Sequence, residues 1–262
     1  MLNQKEQKEV IELVKKTREL IFRELEAARV TVKGAADYVT NVDYAVQDFL
    51  KKELEERFPQ IRMIAEEKEN RDLAADGIYW ILDPIDGTTN LIHRYGMSAV
   101  ALALYEKGEI TFGVVYNPFH EELYYAAKGE GAYCNGEQIH VSDNVELQDA
   151  VVSYGSSPYE KKRAAELFPV FYRIFMNCAD FRRTGSAELD LCYVACGRQE
   201  GYLEQDLKPW DYSAGSLILT EAGGCVKSWS GERLPYLKNA DVIACTKKIE
   251  ASLTELVRGG NA

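Results

Sequence analysis

No apolar run in this chain approaches the roughly 20 residues needed to span a bilayer as a helix, so no membrane segment is expected. The first 29 residues are charged throughout and lack the apolar core of a secretory signal, which reads as a cytoplasmic protein. No two cysteines are spaced as CxxC. Cys192 and Cys196 fall on one face of an expected helix, but a zinc site there would need further ligands that the sequence does not offer. Cys134, Cys178, Cys192, Cys196, Cys225 and Cys245 therefore read as reduced, mostly buried thiols. A basic surplus is also missing: 42 acidic against 31 basic residues give a formal charge of −11. That excludes a general nucleic-acid or membrane-surface binder, and neither partner is expected. A phosphorylated substrate stays open, because bound divalent cations reverse the local field of an acidic site. No repeat, low-complexity segment or long linker interrupts the chain.

What is present is 262 residues with 46% apolar and 28% charged content, a soluble globular profile with length enough for one large domain or two joined halves. The chain is organised around Trp80-Ile81-Leu82-Asp83-Pro84-Ile85-Asp86-Gly87-Thr88-Thr89-Asn90. An apolar strand ends here in two carboxylates, a glycine and two hydroxyls. Ligands of α/β proteins commonly sit at such strand ends. Pro84 has no N–H, so strand pairing is expected to stop there. Gly87 allows close backbone approach, and Thr88-Thr89-Asn90 would open a helix whose free N–H groups suit an anion. The stretch reads either as a metal site beside a phosphate cradle or as an ordinary strand, turn and capped helix.

Taken in order, residues 3–29 carry a helical apolar period through Val10, Leu13, Val14, Leu20, Ile21 and Leu25. Val30-Thr31-Val32-Lys33-Gly34 breaks it, and a polar loop is expected to Thr40. Asn41 is the expected N-cap of a second helix with Val42, Ala45, Val46, Phe49, Leu50, Leu54 and Phe58 on one face, ended by Pro59. Asp43 in its first turn reads on its own as a carboxylate complementing the helix dipole. Residues 61–65 and 78–83 read as strands. Side by side, they would bring Glu66, Asp83 and Asp86 together. Glu67 reads as a solvated strand end.

The middle of the chain reads as antiparallel. Residues 98–105 and 110–116 flank Glu106-Lys107-Gly108-Glu109, residues 123–127 and 132–134 flank Lys128-Gly129-Glu130-Gly131, and Asn135-Gly136 offers a tight turn before 138–141. From about residue 146 strands and helices alternate: strand 150–154, helix 159–176 kinked or broken at Pro169, strand 181–183, helix 187–196, strand 201–204, a helix from Pro209 to 221, strand 240–245 and a last amphipathic helix. The fold class is thus α/β. An α+β N-terminal subdomain with an antiparallel sheet spans 1–145, an α/β C-terminal subdomain spans 146–262, and the two form one fold.

Three patches place acids at the ends of apolar elements: Glu66, Asp83 with Asp86, and Asp211. Crowded carboxylates repel and raise one another's pKa, and cations remove that penalty. A donor set without histidine or cysteine favours hard ions, above all Mg²⁺. Such a site suits phosphoryl transfer to water, with the N–H groups of Gly87 and Thr88 as the phosphate cradle. Thr88, supported by Asp43, could orient the water, and no nucleophilic side chain is needed. His93 reads as packing or surface.

Asp83 to Asn90 resembles the DPIDGTTN signature of the inositol monophosphatase family. Ala65-Glu66-Glu67 is similar to that family's (G/A)EE element, and Trp210-Asp211-Tyr212-Ser213-Ala214-Gly215 to its WDxxAG element. Order and spacing agree over nearly the whole chain. The resemblance implies a layered α-β-α-β-α sandwich of the sugar phosphatase type. It also implies a homodimeric, Li⁺-sensitive enzyme that releases phosphate from inositol monophosphate or a related small sugar or polyol phosphate. About two to three Mg²⁺ ions are implied. Glu66, Asp83 and the Ile85 carbonyl would hold the first, Asp83, Asp86 and Asp211 the second, and Glu66 a share of a third.

The resemblance makes Glu66, Thr88 and Asp43 the catalytic set, with Thr88 and Asp43 positioning or activating the water. Gly87 and Thr88 would seat the phosphate. Lys33 is similar to the lysine of the family's mobile loop, with a solvated lysine as the other reading, since the loop to Asp43 is shorter than in the animal enzymes. Gly185-Ser186-Ala187 matches a turn that meets substrate hydroxyls, alongside Asp86 and Asp211. Glu204 matches an inositol-binding acid, or else is a strand carboxylate paired with Arg183. Lys208 stands where the animal enzymes carry histidine, which opens fructose-1,6-bisphosphatase and NADP phosphatase as alternatives. A 3′-phosphoadenosine phosphatase would carry insertions not seen here. Two readings outside catalysis remain: a regulatory binder of the transcription and RNA machinery, which some bacterial relatives are, and a metal-loaded structural protein.

Overall fold

The computed structural model describes residues 1–27, 29–34, 37–67, 73–143, 146–156 and 158–259. Helix α1 (Gln4–Leu25) leads into a hairpin of β1 (Val30–Gly34) and β2 (Asp37–Thr40), then α2 (Asn41–Arg57). Strands β3 (Arg62–Ala65), β4 (Ile78–Asp86), β5 (Ala99–Glu106), β6 (Glu109–Asn117), β7 (Glu122–Ala127), β8 (Ala132–Cys134) and β9 (Glu137–Ile139) form one sheet in sequence order, with the short helix α3 (Thr88–Ile92) after β4. All pairs in it are antiparallel except β3 with β4. A second sheet, in the order β11-β10-β12-β14-β13, uses β10 (Val151–Tyr154), β11 (Asp180–Arg182), β12 (Gly201–Leu207), β13 (Cys225–Ser228) and β14 (Ala240–Cys245). Its helices are α4 (Ala164–Phe175), α5 (Ala187–Ala195), α6 (Ser213–Glu221) and α7 (Glu250–Val257).

The twofold alternation of strand side chains sorts the apolar residues into three cores. Trp80, Leu82, Val100, Leu102 and Leu104 face α1 and α2, meeting Val10, Leu13, Val46, Leu50 and Leu54. Tyr79, Ile81, Ala99, Ala101 and Ala103 face the other way, onto Leu189, Leu191, Leu217 and Ile218 of α5 and α6, which also pack on Tyr202, Val242 and Ala244. Val152, Leu203, Ile243 and Cys245 turn outward to Leu167 and Phe171 of α4 and Leu253 and Leu256 of α7. The layers therefore run α-β-α-β-α, as the resemblance implied. The alanines of β5 let α6 lie close, and Gly113 of β6 is closer still: a Cβ there would stand 2.9 Å from the Ala214 carbonyl oxygen.

Several elements depart from the sequence reading. The expected loop before Thr40 is instead the β1–β2 hairpin, with Val30 and Val32 exposed and no core to reveal it. The N-cap of α2 is Thr40, not Asn41: its hydroxyl accepts from Val42 N–H, and Asp43 answers on Thr40 N–H. Pairing of β4 does not stop at Pro84 but skips it and resumes at Asp86 opposite Ala99. Pro169 does not break α4. It lies on the exposed side, where water can take the carbonyl it leaves unpaired, and a 3₁₀ segment (Pro158–Arg163) precedes the helix. The helix expected from Pro209 splits at Tyr212, whose φ of −143° ends a 3₁₀ turn (Pro209–Asp211) before α6. Strand β13 was not anticipated. Two of the six cysteines are buried and four half-buried, all of them free.

Candidate active site

Parallel pairing sets Ala65 beside Leu82, and Glu66 N–H donates to the Leu82 carbonyl at 3.4 Å. Glu66 thereby emerges next to Asp83. In a regular strand Asp83 and Asp86, three apart, would point to opposite faces. The irregularity at Pro84 sets Asp83 opposite Ala101 and Asp86 opposite Ala99, so three residues match two. Ala99 and Ala101 share the face toward α5 and α6, and both acids therefore turn to that layer while Ile85 packs beneath. Asp83 Oδ1 accepts from Ile85 N–H at 2.9 Å, which holds the turn.

The next residue, Gly87, is the left-handed N-cap of α3 at φ 88°. A Cβ on it would meet the Met97 carbonyl at 2.9 Å and the Gly185 carbonyl at 3.2 Å. Thr88 Oγ1 lies 3.1 Å from both Asp43 Oδ1 and the Ile85 carbonyl. Asp43 is fully buried, and its other oxygen accepts from the Thr40 hydroxyl at 2.5 Å. A first-turn carboxylate that looked like a helix-dipole partner is thus joined to the threonine after the central turn. Asn90 donates to the carbonyls of Met97 at 2.6 Å and Thr184 at 2.9 Å and ties that turn to the Gly185 turn.

Asp86 closes the gap to the second half of the chain. It accepts from the Ser186 hydroxyl at 2.5 Å, Glu188 N–H at 2.8 Å and Ala187 N–H at 3.2 Å, which caps α5 from outside that helix. Asp211 accepts from Lys208 N–H at 2.7 Å just before α6. Glu204 accepts from Tyr202 OH at 2.7 Å and lies against Gly155, where any Cβ would overlap its carboxyl group. Arg183 Nε donates to Ser156 at 3.2 Å. Lys33 reaches across from β1 to pair with Glu67 and, at 3.5 Å, with Glu66. Glu67 is thus no solvated strand end: its side chain is only 5% exposed. His93 is exposed.

These acids sit where burial disfavours charge. Burial pushes Glu66 up to about 8, against the pull of Lys33. It raises Asp86 to about 6, held down by its bonds from Ser186, Glu188 and Ala187. Asp83 is pushed well up by burial and then by Glu66, Asp86 and Asp211. Asp211 is raised by burial and then by Glu66. Burial also raises Asp43.

Among the described residues no three acids, histidines or cysteines already stand arranged around an ion position. Each acid is turned to a donor of the protein: Asp86 to α5, Asp211 to Lys208, Glu66 to Lys33. The donor set still fits a hard divalent cation. It consists of oxygens alone, and the mutual repulsion recorded in the raised Asp83 and Asp211 is what such an ion relieves. Glu66, Asp83, Asp86, Asp211 and the Ile85 carbonyl are the groups that could hold it.

Sequence reasoning missed Glu188 and Asp190. Both are buried in α5, Glu188 accepting from Ala214 and Gly215 N–H and Asp190 from the Thr184 hydroxyl at 2.7 Å. The available signal was two acids inside the otherwise apolar run Ala187-Glu188-Leu189-Asp190-Leu191-Cys192.

Comparison with known proteins agrees with this geometry. The model of the "Inositol monophosphatase family" matches residues 2–261. Nus factor SuhB of Escherichia coli K12 is 36% identical over 233 residues, 89% of this chain and 87% of the relative. A staphylococcal inositol monophosphatase-1, solved as an inhibitory complex soaked in LiCl, superposes with a TM-score of 0.89 at 28% identity, covering 98% of this chain and 96% of that one. An IMPase/NADP phosphatase complexed with Mg²⁺ and phosphate gives 0.89 at 28% identity, covering 98% and 97%.

Proposed function

This chain belongs to the inositol monophosphatase family, and from that membership we propose that it is a Mg²⁺-dependent phosphomonoesterase acting on inositol monophosphate or a related small sugar or polyol phosphate. The observation that carries this reading is the meeting of Glu66, Asp83, Asp86 and Asp211 beside the Thr88–Asp43 pair. Donors of the protein hold each acid in place but do not offset the repulsion among four carboxylates drawn from distant segments, and that repulsion is what cations would relieve. Glu66, Asp83, Asp86, Asp211 and the Ile85 carbonyl would hold Mg²⁺. When bound, the metal would supply positive charge that offsets these acids, stabilise charge on the phosphate and acidify water.

The chain's own groups account for the rest. Thr88 donates to Asp43 at 3.1 Å, which leaves its lone pairs to accept from the attacking water and aim it. Asp43 stays aligned because Thr40 grips its second oxygen. Gly87 keeps the backbone bare where phosphate approaches, and Lys33, now on Glu66 and Glu67, is within reach as a phosphate donor. Glu204, Ser186 and the Gly185 turn border the alcohol side. Metal-assisted attack by water needs no nucleophilic side chain. An inositol phosphate, fructose 1,6-bisphosphate and NADP all satisfy this arrangement at their reacting phosphate.

The test is phosphate release from a panel of inositol 1-phosphate, fructose 1,6-bisphosphate, NADP and 3′-phosphoadenosine 5′-phosphate, with Mg²⁺ and with chelator. Asp83→Asn should lower kcat/KM by about 100-fold or more with the far-ultraviolet spectrum unchanged. Full activity in that variant overturns the reading. The relatives named Nus factors favour a second role, in the transcription machinery, which runs against the expectation of no nucleic-acid partner. Such a role would survive as partner co-purification with the Asp83→Asn protein.

A further inference from the structure

Glu188 has no part in the chemistry above, yet it is a carboxylate with no solvent exposure. A buried acid needs compensation, and Glu188 finds it in two backbone N–H groups: Ala214 donates to Oε1 at 3.1 Å and Gly215 to Oε2 at 2.5 Å. Both belong to the first turn of α6, whose amides have no acceptor within the helix. The fit is close enough to dictate the neighbouring residue. A Cβ on Gly215 would stand 2.6 Å from Oε2 and 2.6 Å from Leu191 Cβ, so only glycine lets α6 come this near.

The same residue faces the other way through its backbone. Its N–H donates to Asp86 Oδ2 at 2.8 Å, beside the Ser186 hydroxyl at 2.5 Å. Glu188 therefore links Asp86 directly to the opening of α6. That opening is tied in turn to the Asp211 turn, since Ser213 Oγ donates to the Pro209 carbonyl at 2.5 Å. Asp86 and Asp211 come from different parts of the fold, one from the bulged end of β4 and one from the turn before α6. Glu188 meets Asp86 through its backbone and the first turn of α6 through its side chain.

We propose that Glu188 is a positioning residue that sets the separation of Asp86 and Asp211 by bracing α6 against α5. The inference rests on the metal-dependent reading of those two acids. Glu188 touches neither metal nor substrate in this assignment. It acts by holding the two carboxylates fixed relative to each other, so its loss would loosen the metal site and leave the alcohol side in place.

The test is calorimetric titration of the full chain with Mg²⁺ alone, with substrate kinetics alongside. Glu188→Gln keeps the size of the side chain but accepts from only one of the two amides and turns its own N–H₂ against the other. The expected result is a rise of about tenfold in the Mg²⁺ dissociation constant, with the substrate KM at saturating Mg²⁺ unchanged. Glu188→Ala, if it folds, should weaken Mg²⁺ at least as much. A Glu188→Gln protein that melts lower but binds Mg²⁺ like the wild type overturns the inference and leaves Glu188 as packing only. A wild-type chain that binds no Mg²⁺ overturns the phosphatase reading and this inference with it.

Discussion

Asp86 caps helix α5 with the same carboxylate that repels Asp83 and Asp211, so at the scale of single residues the fold and the site draw on one group. The cost of assembling such acids gives a pH dependence with a definite sign. An unfolded chain protonates Glu66 near 4.5 and Asp190 and Asp86 near 3.8, whereas burial in the fold moves them to about 8, about 8 and about 6. Between those limits the folded state holds more protons than the unfolded one. Metal-free stability is thus fully present below about 3.8 and declines as pH climbs from there toward about 8. Urea midpoints measured in chelator should fall across this window, and saturating Mg²⁺ should flatten the fall. Midpoints that rise with pH in chelator would contradict the assignment. Asp83, Asp86 and Asp211 stood out in the sequence because they end apolar runs and sit in dense motifs. Glu188 and Asp190 did not, because an acid in a helix is ordinarily solvated and only the packing of α5 between two sheets makes these two internal.

Among the elements, β6 and α6 meet backbone to backbone. A side chain at Gly113 would place Cβ 2.9 Å from the Ala214 carbonyl oxygen and 3.1 Å from its Cα, and backbone cannot fold away as a side chain can. Gly113→Ala should cost about 1–3 kcal/mol of stability and push the start of α6, with Asp211 ahead of it, off its seat. Denaturant unfolding together with Mg²⁺ titration checks both effects, and a variant as stable as the wild type would refute the close packing. The strands of the large sheet were legible because turn residues punctuate a twofold apolar rhythm. The β1–β2 hairpin was not, because Val30 and Val32 stay exposed and bury nothing that would mark a strand. The bulge of β4 was half legible: Pro84 announced a break in pairing, but only the partner strand decides that pairing resumes one residue out of step.

For the whole molecule, the layer order came from the family resemblance that the three motifs carry, whereas β13 and the split of the Pro209 helix depended on contacts that no local pattern encodes. The site takes Glu66, Asp83 and Asp86 from the large sheet and Asp211 from the turn that enters α6. An ion bound there would fasten the two parts of the chain to each other. At a Mg²⁺ concentration about 100 times the dissociation constant, linkage gives about 2.7 kcal/mol of added stability. A chain of this size should then melt several degrees higher. Differential scanning calorimetry with and without chelator measures the shift, and Asp211→Asn should abolish it. The bond between Asp86 and Ser186 spans 100 positions of sequence, and it bears on synthesis as well as on stability. A ribosome delivers the DPIDGTTN strand long before the residues that grip Asp86, and Asp211 later still. The proposed metal site therefore needs the chain through Asp211, and a proteolytic fragment that stops short of that turn should not carry it.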